Sequence, residues 1–117
     1  MIQSIAFFLY PVSDMARARR FYEETLGLKI ATNFRDIWVE YELVGGTFAI
    51  SSADIGHKPG TPGGLLAFEV DDLDAEVARL KTLPVPFVRD IMETPVCRMA
   101  VIADPDGNHL TLHQRKA

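Results

Sequence analysis

The sequence predicts an α+β fold built from two β-α-β-β-β modules, and two observations lead to this prediction. The first is an internal repeat: "FFLYPVSDMARARRFY" at 7–22 has the same pattern as "LLAFEVDDLDAEVARL" at 65–80. Each stretch is an alternating apolar strand ending in Val, then polar residues, then a helical pattern. The second observation is that three strand-like segments follow each helical pattern. The chain is therefore expected to form one domain with module 1 at 1–52, a linker at 53–63 and module 2 at 64–117.

Both predicted helices have start and stop signals. Asp14 precedes the first helical pattern and Asp72 precedes the second, and aspartate is a good N-cap residue. Gly27 stands where the first helix is expected to end, because glycine tolerates the left-handed conformation found just after many helices. The second helix is expected to stop before Leu83-Pro84, since the residue preceding a proline disfavours helical geometry.

The strand predictions rest on alternating apolar and polar residues bounded by turn residues. Gly45-Gly46 is predicted to form the two-residue hairpin between the last two strands of module 1. The predicted strands that follow the helices are Leu28–Phe34, Ile37–Val44 and Thr47–Ser52 in module 1, and Phe87–Met92, Cys97–Ala103 and His109–Gln114 in module 2.

The segment "VIADPDGNHLTLHQ" suggests three roles: a metal site, a catalytic pair or a hairpin. Asp104–Gly107 is predicted to be a turn, with Pro105 at its second position and Gly107 free to take a positive φ. It does not fit a calcium loop, because the proline and the missing downstream glutamate break that pattern. On a strand, His109 and His113 would lie roughly 13 Å apart. That is too far to share one zinc ion, whose nitrogen ligands lie about 2.1 Å away.

Composition limits the classes of partner. The 117 residues suffice for one domain with a core that needs no disulfides or metal, and 48% are hydrophobic and 24% charged. A net charge of −4 without a run of Lys or Arg argues against nucleic acid or anionic membrane as a partner. Cys97 is the single cysteine, which excludes an internal disulfide and suits a reducing compartment. The apolar first residues lack a basic stretch and a cleavage site, so they indicate a strand in a cytoplasmic protein.

The motifs "VSDMARARRFYEETLGLKI" and "DPDGN" before the last strand, within two such modules, resemble the vicinal oxygen chelate superfamily. That superfamily includes glyoxalase I, extradiol dioxygenases and bleomycin-resistance proteins, and the resemblance covers nearly the whole chain. It implies curved mixed sheets around a cavity, with the helices on the convex sides. It also implies that the modules pair, within one chain or across a homodimer. Fold alone does not determine function in such a group.

The resemblance also implies where a divalent metal would bind. Metal-dependent members place His or Glu ligands on the first, fourth, fifth and eighth strands, and these positions fall here on Phe7, Ala49, Leu65 and Thr111. The first three side chains have no donor atom, and a neutral threonine hydroxyl is a poor ligand for a divalent metal. We therefore expect no metal and no other cofactor.

Alternation along the strands assigns side chains to the implied cavity. Trp38 is either a stacking wall for a flat ligand or a residue at the rim of the module interface. The expected ligand-binding residues combine an apolar lining with a few polar groups: Phe7, Leu9, Trp38, Glu40, Ala49, Leu65, Ala67 and Thr111.

Glu69 and His109 are the candidate catalytic residues. Glu69 lies on the same predicted face as Leu65 and Ala67, so partial desolvation is expected to raise its pKa into the range of a proton-transfer base. The alternative for Glu69 is an exposed charge at a strand end that pairs with a nearby Arg. His109 is either a ligand contact or a hydrogen-bonded structural residue.

Three further residues have open roles. His113 is expected to face solvent. Cys97 is expected to be a small buried hydrophobe, because no base is visible beside it in the sequence. Arg19 either pairs with a carboxylate or lies at the margin of the apolar face of the first helix.

Three functions remain open. The first is a metal-independent protein that binds a small apolar or aromatic molecule, as bleomycin-resistance-type members do. The second is a lyase or isomerase that uses Glu69 or His109 in general acid–base chemistry, without a metal or with unusual metal ligands. The third is a ligand-free structural or regulatory dimer. We expect a homodimer in each case, because open sheet edges need cover.

Overall fold

The computed structural model describes residues 1, 3, 5–54, 58–60 and 65–116. The chain divides into two compact units, Met1–Thr61 and Pro62–Ala117. Parts of the expected linker, and residue 64 at the start of module 2, lie outside the described residues. None of the helices within the described ranges combines the length and the apolar character that a bilayer crossing requires.

The first unit is a four-stranded mixed sheet with one helical segment. Its elements are β1 (Phe8–Pro11), α1 (Met15–Arg19), a π-helical segment (Arg20–Thr25), β2 (Ile30–Phe34), β3 (Trp38–Leu43) and β4 (Gly46–Ser51). The strand order is β1-β4-β3-β2. β1 runs parallel to β4, and the other neighbours are antiparallel.

The second unit repeats this topology. Its elements are β5 (Leu66–Glu69), α2 (Leu73–Lys81), β6 (Phe87–Glu93), β7 (Cys97–Ala103) and β8 (His109–Arg115). The strand order is β5-β8-β7-β6, with β5 parallel to β8 and the other neighbours antiparallel. The predicted α+β class and the β-α-β-β-β order of each module are confirmed.

Both predicted N-caps are present. The Asp14 side chain accepts a hydrogen bond from the Arg17 backbone N–H at 3.0 Å, and the Asp72 side chain accepts one from the Ala75 N–H at 3.0 Å. Each bond satisfies a backbone donor that the first helical turn leaves unpaired. Gly27 follows the first helical segment with φ 77°, which is the left-handed conformation expected there.

The end of the first helix differs from a regular α-helix. Its last six residues, Arg20–Thr25, form a π-helix, and the Leu26 N–H donates to the Phe21 carbonyl five residues earlier at 2.9 Å. The wider turn buries two consecutive aromatic side chains, Phe21 and Tyr22. Hydrophobic periodicity predicts a helix here, but it does not distinguish this local widening.

The two cores differ in kind. In the first unit, Tyr22 packs against Phe48 and Tyr41, with ring centroids 5.0 and 6.2 Å away, and Tyr41 stacks on Phe48 at 6.1 Å. In the second unit the fully buried side chains are mainly aliphatic, among them Leu73, Leu80, Ile102 and Leu110. In both units these side chains define the sheet face that packs against the helix. We call the opposite face of each sheet its open face.

One turn and one strand boundary in the first unit differ from the predictions. The β3–β4 turn is formed by Val44 and Gly45, because Gly46 already pairs with Leu43 in the sheet. The predicted hairpin is thus displaced by one residue. β2 begins at Ile30 and not at Leu28, because the Leu28 N–H bonds to the Tyr22 carbonyl at the end of the helix.

The Asp104–Gly107 turn is confirmed. The Gly107 N–H donates to the Asp104 carbonyl at 3.0 Å, and Gly107 has φ 84°. Asp104 is 2% exposed, and its carboxylate accepts bonds from the backbone N–H groups of Asp106 and Asn108, at 2.9 and 2.8 Å, and from the Asn108 amide at 2.8 Å. This buried carboxylate holds the start of β8 in place.

Replacing Asp104 with Ala should lower the free energy of unfolding by roughly 2–4 kcal/mol, because it leaves several buried donors without an acceptor. Urea denaturation followed by circular dichroism measures this change. Asp71→Ala is the matched control, since Asp71 is an exposed aspartate of the same unit. Equal stabilities of the two variants would contradict the prediction.

Candidate functional site

The open face of the first unit presents an aromatic cluster. The Phe7 and Trp38 rings meet edge to face with centroids 5.3 Å apart. Phe34 pairs directly with Trp38 across β2 and β3, so both side chains lie on the same face. Phe7 is 43% exposed and Phe34 is 58% exposed. We call Phe7, Phe34 and Trp38 the aromatic face.

A carboxylate orients the indole of this face. The Trp38 Nε1–H donates to Glu40 Oε2 at 2.8 Å, and Glu40 lies two residues further along β3 on the same face. The bond satisfies the only polar atom of the indole and fixes the plane of the ring. The Arg35 guanidinium lies 5.3 Å from the centre of the Phe34 ring at the adjacent β2–β3 turn.

The other predicted ligand-binding residues of the first unit lie deeper. Leu9 and Glu40 are the register partners of Ala49 on the neighbouring strands and are partly exposed. Ala49 itself is fully buried. The structure therefore brings Phe7, Leu9, Trp38, Glu40 and Ala49 together on one open face, with Ala49 beneath its surface. Their role in ligand binding stays a prediction.

The open face of the second unit is mixed in character. Leu65 is 56% exposed at the start of the sheet, and Ala67 is exposed opposite Thr111. Thr111 is 3% exposed, and its hydroxyl has no hydrogen-bond partner within the described part of the chain. A buried hydroxyl without a partner is uncommon in folded proteins, so Thr111 stands out among the predicted residues.

Glu69 does not have the predicted electrostatics. Its carboxylate is 52% exposed and accepts a 2.8 Å bond from the Arg115 backbone N–H and a 2.6 Å bond from His113 Nδ1. These two bonds lower the pKa of Glu69 from its ordinary value, and the Arg115 N–H makes the larger contribution. The expected raised pKa is therefore wrong, because hydrogen bonding to the charged form outweighs desolvation.

The two histidines of β8 lie in different surroundings. His109, the predicted partner in acid–base chemistry, lies exposed at the first residue of β8 opposite Ala103. His113 was expected to face solvent, yet its side chain is 26% exposed and its ring bonds Glu69. The contact between Glu69 and His113 could not be predicted from the sequence, because the two residues lie on different strands 44 positions apart.

A second ionic cluster lies on the helix side of the first unit. Arg19 donates from Nε and Nη2 to the two Glu23 oxygens at 2.7 and 3.2 Å and from Nη1 to Asp36 at 3.1 Å. The buried Tyr41 hydroxyl also donates to Glu23 at 2.9 Å. Arg19 is thus a partner for carboxylates, one of its two predicted roles.

The guanidinium of Arg19 lowers the pKa of Glu23, and the Tyr41 hydroxyl adds to this effect. Burial raises the pKa of Tyr41, and its bond to the Glu23 carboxylate raises it further. The lowered pKa keeps the Glu23 carboxylate ionised, and the raised pKa keeps the Tyr41 phenol neutral. The arrangement links the helix to β3 and provides no free acid or base.

Cys97 is 5% exposed, as predicted, and its sulfur lies 3.1 Å from the Thr94 hydroxyl. This places the thiol at the start of β7 as a packing residue.

A divalent metal does not fit the four positions at which the resemblance implies metal ligands. Phe7, Ala49 and Leu65 offer no donor atom, and Thr111 offers one buried hydroxyl. Throughout the described ranges, no group of three or more His, Cys, Asp or Glu side chains is placed to hold a metal ion. No chemical step on this scaffold is therefore assigned to a metal.

Comparisons with known proteins agree on one family. Residues 4–112 match the model of the Glyoxalase/Bleomycin resistance protein/Dioxygenase superfamily. A search of curated proteins found no match.

Three solved structures illustrate the likeness. TnmS3 from Streptomyces sp. CB03234, described as an antibiotic binding protein, is 31% identical with a TM-score of 0.84 over 98% of both chains. A glyoxalase/bleomycin resistance protein from the same organism is 33% identical over 95% of this chain and 100% of that chain, with a TM-score of 0.79. A superfamily member from Sphaerobacter thermophilus DSM 20745 is 25% identical over 97% of this chain and 98% of that chain, with a TM-score of 0.79.

Glu23→Gln should lower the free energy of unfolding near pH 7 by roughly 1–2 kcal/mol, since it removes a charge-assisted interaction that is largely shielded from solvent. Because the pKa of Glu23 is lowered in the folded state, its stabilising contribution is complete above its ordinary value of 4.5. The contribution is lost as pH falls through the lower folded value. The difference between wild type and variant should therefore shrink in acid.

Denaturant unfolding measured across this pH range tests the prediction. Glu24→Gln is the matched control, because Glu24 is the exposed neighbour on the same helical turn. A pH-independent difference for Glu23→Gln, or an equal effect of Glu24→Gln, would contradict it.

Proposed function

Because this chain belongs to the glyoxalase/bleomycin resistance protein/dioxygenase superfamily, we propose that it binds a small, largely apolar and aromatic molecule. The aromatic face carries the proposal. Phe7 and Phe34 expose large parts of their rings on either side of Trp38. Small-molecule sites are typically lined by such side chains with a few placed polar groups, and Glu40 supplies one here.

The similarity to TnmS3 supports small-molecule binding. TnmS3 is described as an antibiotic binding protein, and it matches this chain over 98% of both sequences. A flat aromatic ligand would stack on Trp38 or lie between the rings of Phe7 and Trp38. Aromatic contacts of this kind stabilise a complex by more than the burial of apolar area alone. We propose this mode of binding for the first unit.

We further propose that binding needs no metal. Support comes from the four positions at which metal-dependent members of the family carry ligands. Phe7, Ala49 and Leu65 have no donor atom there, and Thr111 has only a neutral hydroxyl. Affinity would then come from apolar and aromatic contacts and from hydrogen bonds.

We also propose that the protein is a homodimer. β1 and β5 are edge strands, and the residues that lead into them include the exposed Ile5, Phe7 and Leu65. Exposed apolar side chains grouped in this way favour association with another chain. A two-fold dimer is the commonest form of such self-association.

Light scattering over a wide range of dilutions tests the dimer. The expected result is a constant mass near twice the 13.0 kDa of the chain. A mass near that of one chain at every concentration would contradict this part of the proposal.

Phe7→Ala should weaken binding of a flat aromatic probe without a hydroxyl, such as naphthalene, by about fivefold or more, the effect of losing one aromatic contact. Trp38 is the single tryptophan, so quenching of its fluorescence reports binding at this face. Phe8→Ala is the matched control, because Phe8 is 45% exposed and its alternation places it on the helix face. Thermal shift in saturating probe gives a second readout.

Two results would contradict the proposed function. One is a wild-type protein whose Trp38 fluorescence and melting temperature respond to no aromatic probe. The other is a Phe8→Ala variant that loses as much affinity as Phe7→Ala, which would show that the contact is not specific to the aromatic face.

A further inference from the structure

A separate cleft lies in the second unit, beside the end of β8. Its volume is about 520 Å³, which is within the range of small-molecule sites. Val96 is 70% exposed at its edge, so one wall is apolar. The lining residues are Pro95, Val96, Cys97, His113, Arg115 and Lys116.

The Glu69–His113 pair sets the chemistry of this cleft. Glu69 is ionised at neutral pH, so its oxygens only accept hydrogen bonds. The proton in the 2.6 Å contact with His113 therefore lies on Nδ1. In a neutral imidazole this leaves Nε2 with a lone pair. Nε2 has no hydrogen-bond partner among the described residues.

Arg115 places a positive charge beside the ring. It lies two residues after His113 on the same strand face, its guanidinium makes no salt bridge among the described residues, and its charge acts on the Glu69 carboxylate only at longer range. Lys116 is engaged by Glu93 at 2.9 Å and by the Thr94 carbonyl at 2.8 Å. Besides Glu69 and these two cations, the titratable group of the cleft is the Cys97 thiol, which contacts Thr94.

These features select one ligand class. A cation would be repelled by Arg115, because Glu69 is engaged by His113 and Glu93 by Lys116. A carboxylate, already ionised, has no proton to offer the Nε2 lone pair. The ligand must donate a proton to Nε2 and must be compatible with the positive charge of Arg115. An acidic hydroxyl meets both conditions, because it donates to Nε2 and becomes an anion when its proton leaves.

We propose that this cleft binds a small molecule bearing a phenolic or enolic hydroxyl and takes its proton on His113 Nε2. The ligand O–H bond breaks as the Nε2–H bond forms, with no other atom transferred. The oxyanion then lies beside the Arg115 guanidinium, and Glu69 stabilises the imidazolium through Nδ1. The site lies in the second unit and uses none of the residues of the aromatic face.

Binding of 4-nitrophenol to the full chain tests the inference, since its phenolate absorbs visible light and its neutral form does not. Its methyl ether, 4-nitroanisole, has no proton to transfer and is the matched probe. Wild type should bind the phenol at least about tenfold more tightly than the ether, the effect of one charge-assisted hydrogen bond. The bound phenol should also be more ionised than the free phenol at the same pH.

Single variants separate the contributions of His113, Glu69 and Arg115 to binding and ionisation of the phenol. His113→Asn keeps a donor toward Glu69 and removes Nε2, so it should abolish the excess phenolate signal. Glu69→Gln should reduce it, and Arg115→Gln should weaken phenol binding about tenfold. His109→Asn and Lys81→Gln are the controls for loss of a histidine and of a positive charge in the same unit outside the cleft, and both should retain the signal.

Equal affinity of wild type for the two probes, or binding of neither, overturns the inference without recourse to any variant. Retention of the phenolate signal in His113→Asn also overturns it. If Phe7→Ala abolishes the signal and His113→Asn does not, the phenol binds at the aromatic face. In that case this inference fails while the proposed function stands.

Discussion

The packing of Tyr22 against Tyr41 and Phe48 decides which face of the first sheet is buried, and the open face follows from it. These three rings lie within 6.2 Å of one another, and Tyr22 lies in the π-helical end of the helix. Since side chains alternate along a strand, burying Tyr41 and Phe48 leaves Trp38, Glu40 and Ala49 on the other side. The aromatic face is thus a consequence of how the core is filled.

Much of the fold could be predicted because its signals are local. Asp14, Asp72 and Gly27 act through bonds or backbone angles within a few residues, and the structure confirms each of them. The displaced turn at Val44 could not be predicted from the Gly-Gly pair, because either glycine fits a tight turn and the sheet register chooses between them. The π-helical turn depends on tertiary packing of Phe21 and Tyr22, which a periodicity does not record.

Part of the candidate site could also be predicted from local signals, and part of it could not. Strand alternation is sufficient to place Phe7 with Trp38, and the 5.3 Å ring contact bears this out. It was not sufficient for Glu69, since its apolar neighbours Leu65 and Ala67 suggested desolvation. Its pKa is instead lowered by a backbone N–H and an imidazole from β8. Such partners become visible only once β5 and β8 are known to be adjacent and in register.

The repeated topology shows how one scaffold holds two different surfaces. In the first unit Pro11 pairs with Ser51 at the end of β1 and β4, and in the second unit Glu69 pairs with His113 at the same point of β5 and β8. Ser51 is fully buried and accepts a bond from the nearby Ala53 N–H, so this position is structural in the first unit. The same backbone position in the second unit carries a titratable pair beside a cleft. The fold therefore supplies equivalent positions, and the side chains at them make the open face of the first unit aromatic and that of the second unit mixed in character.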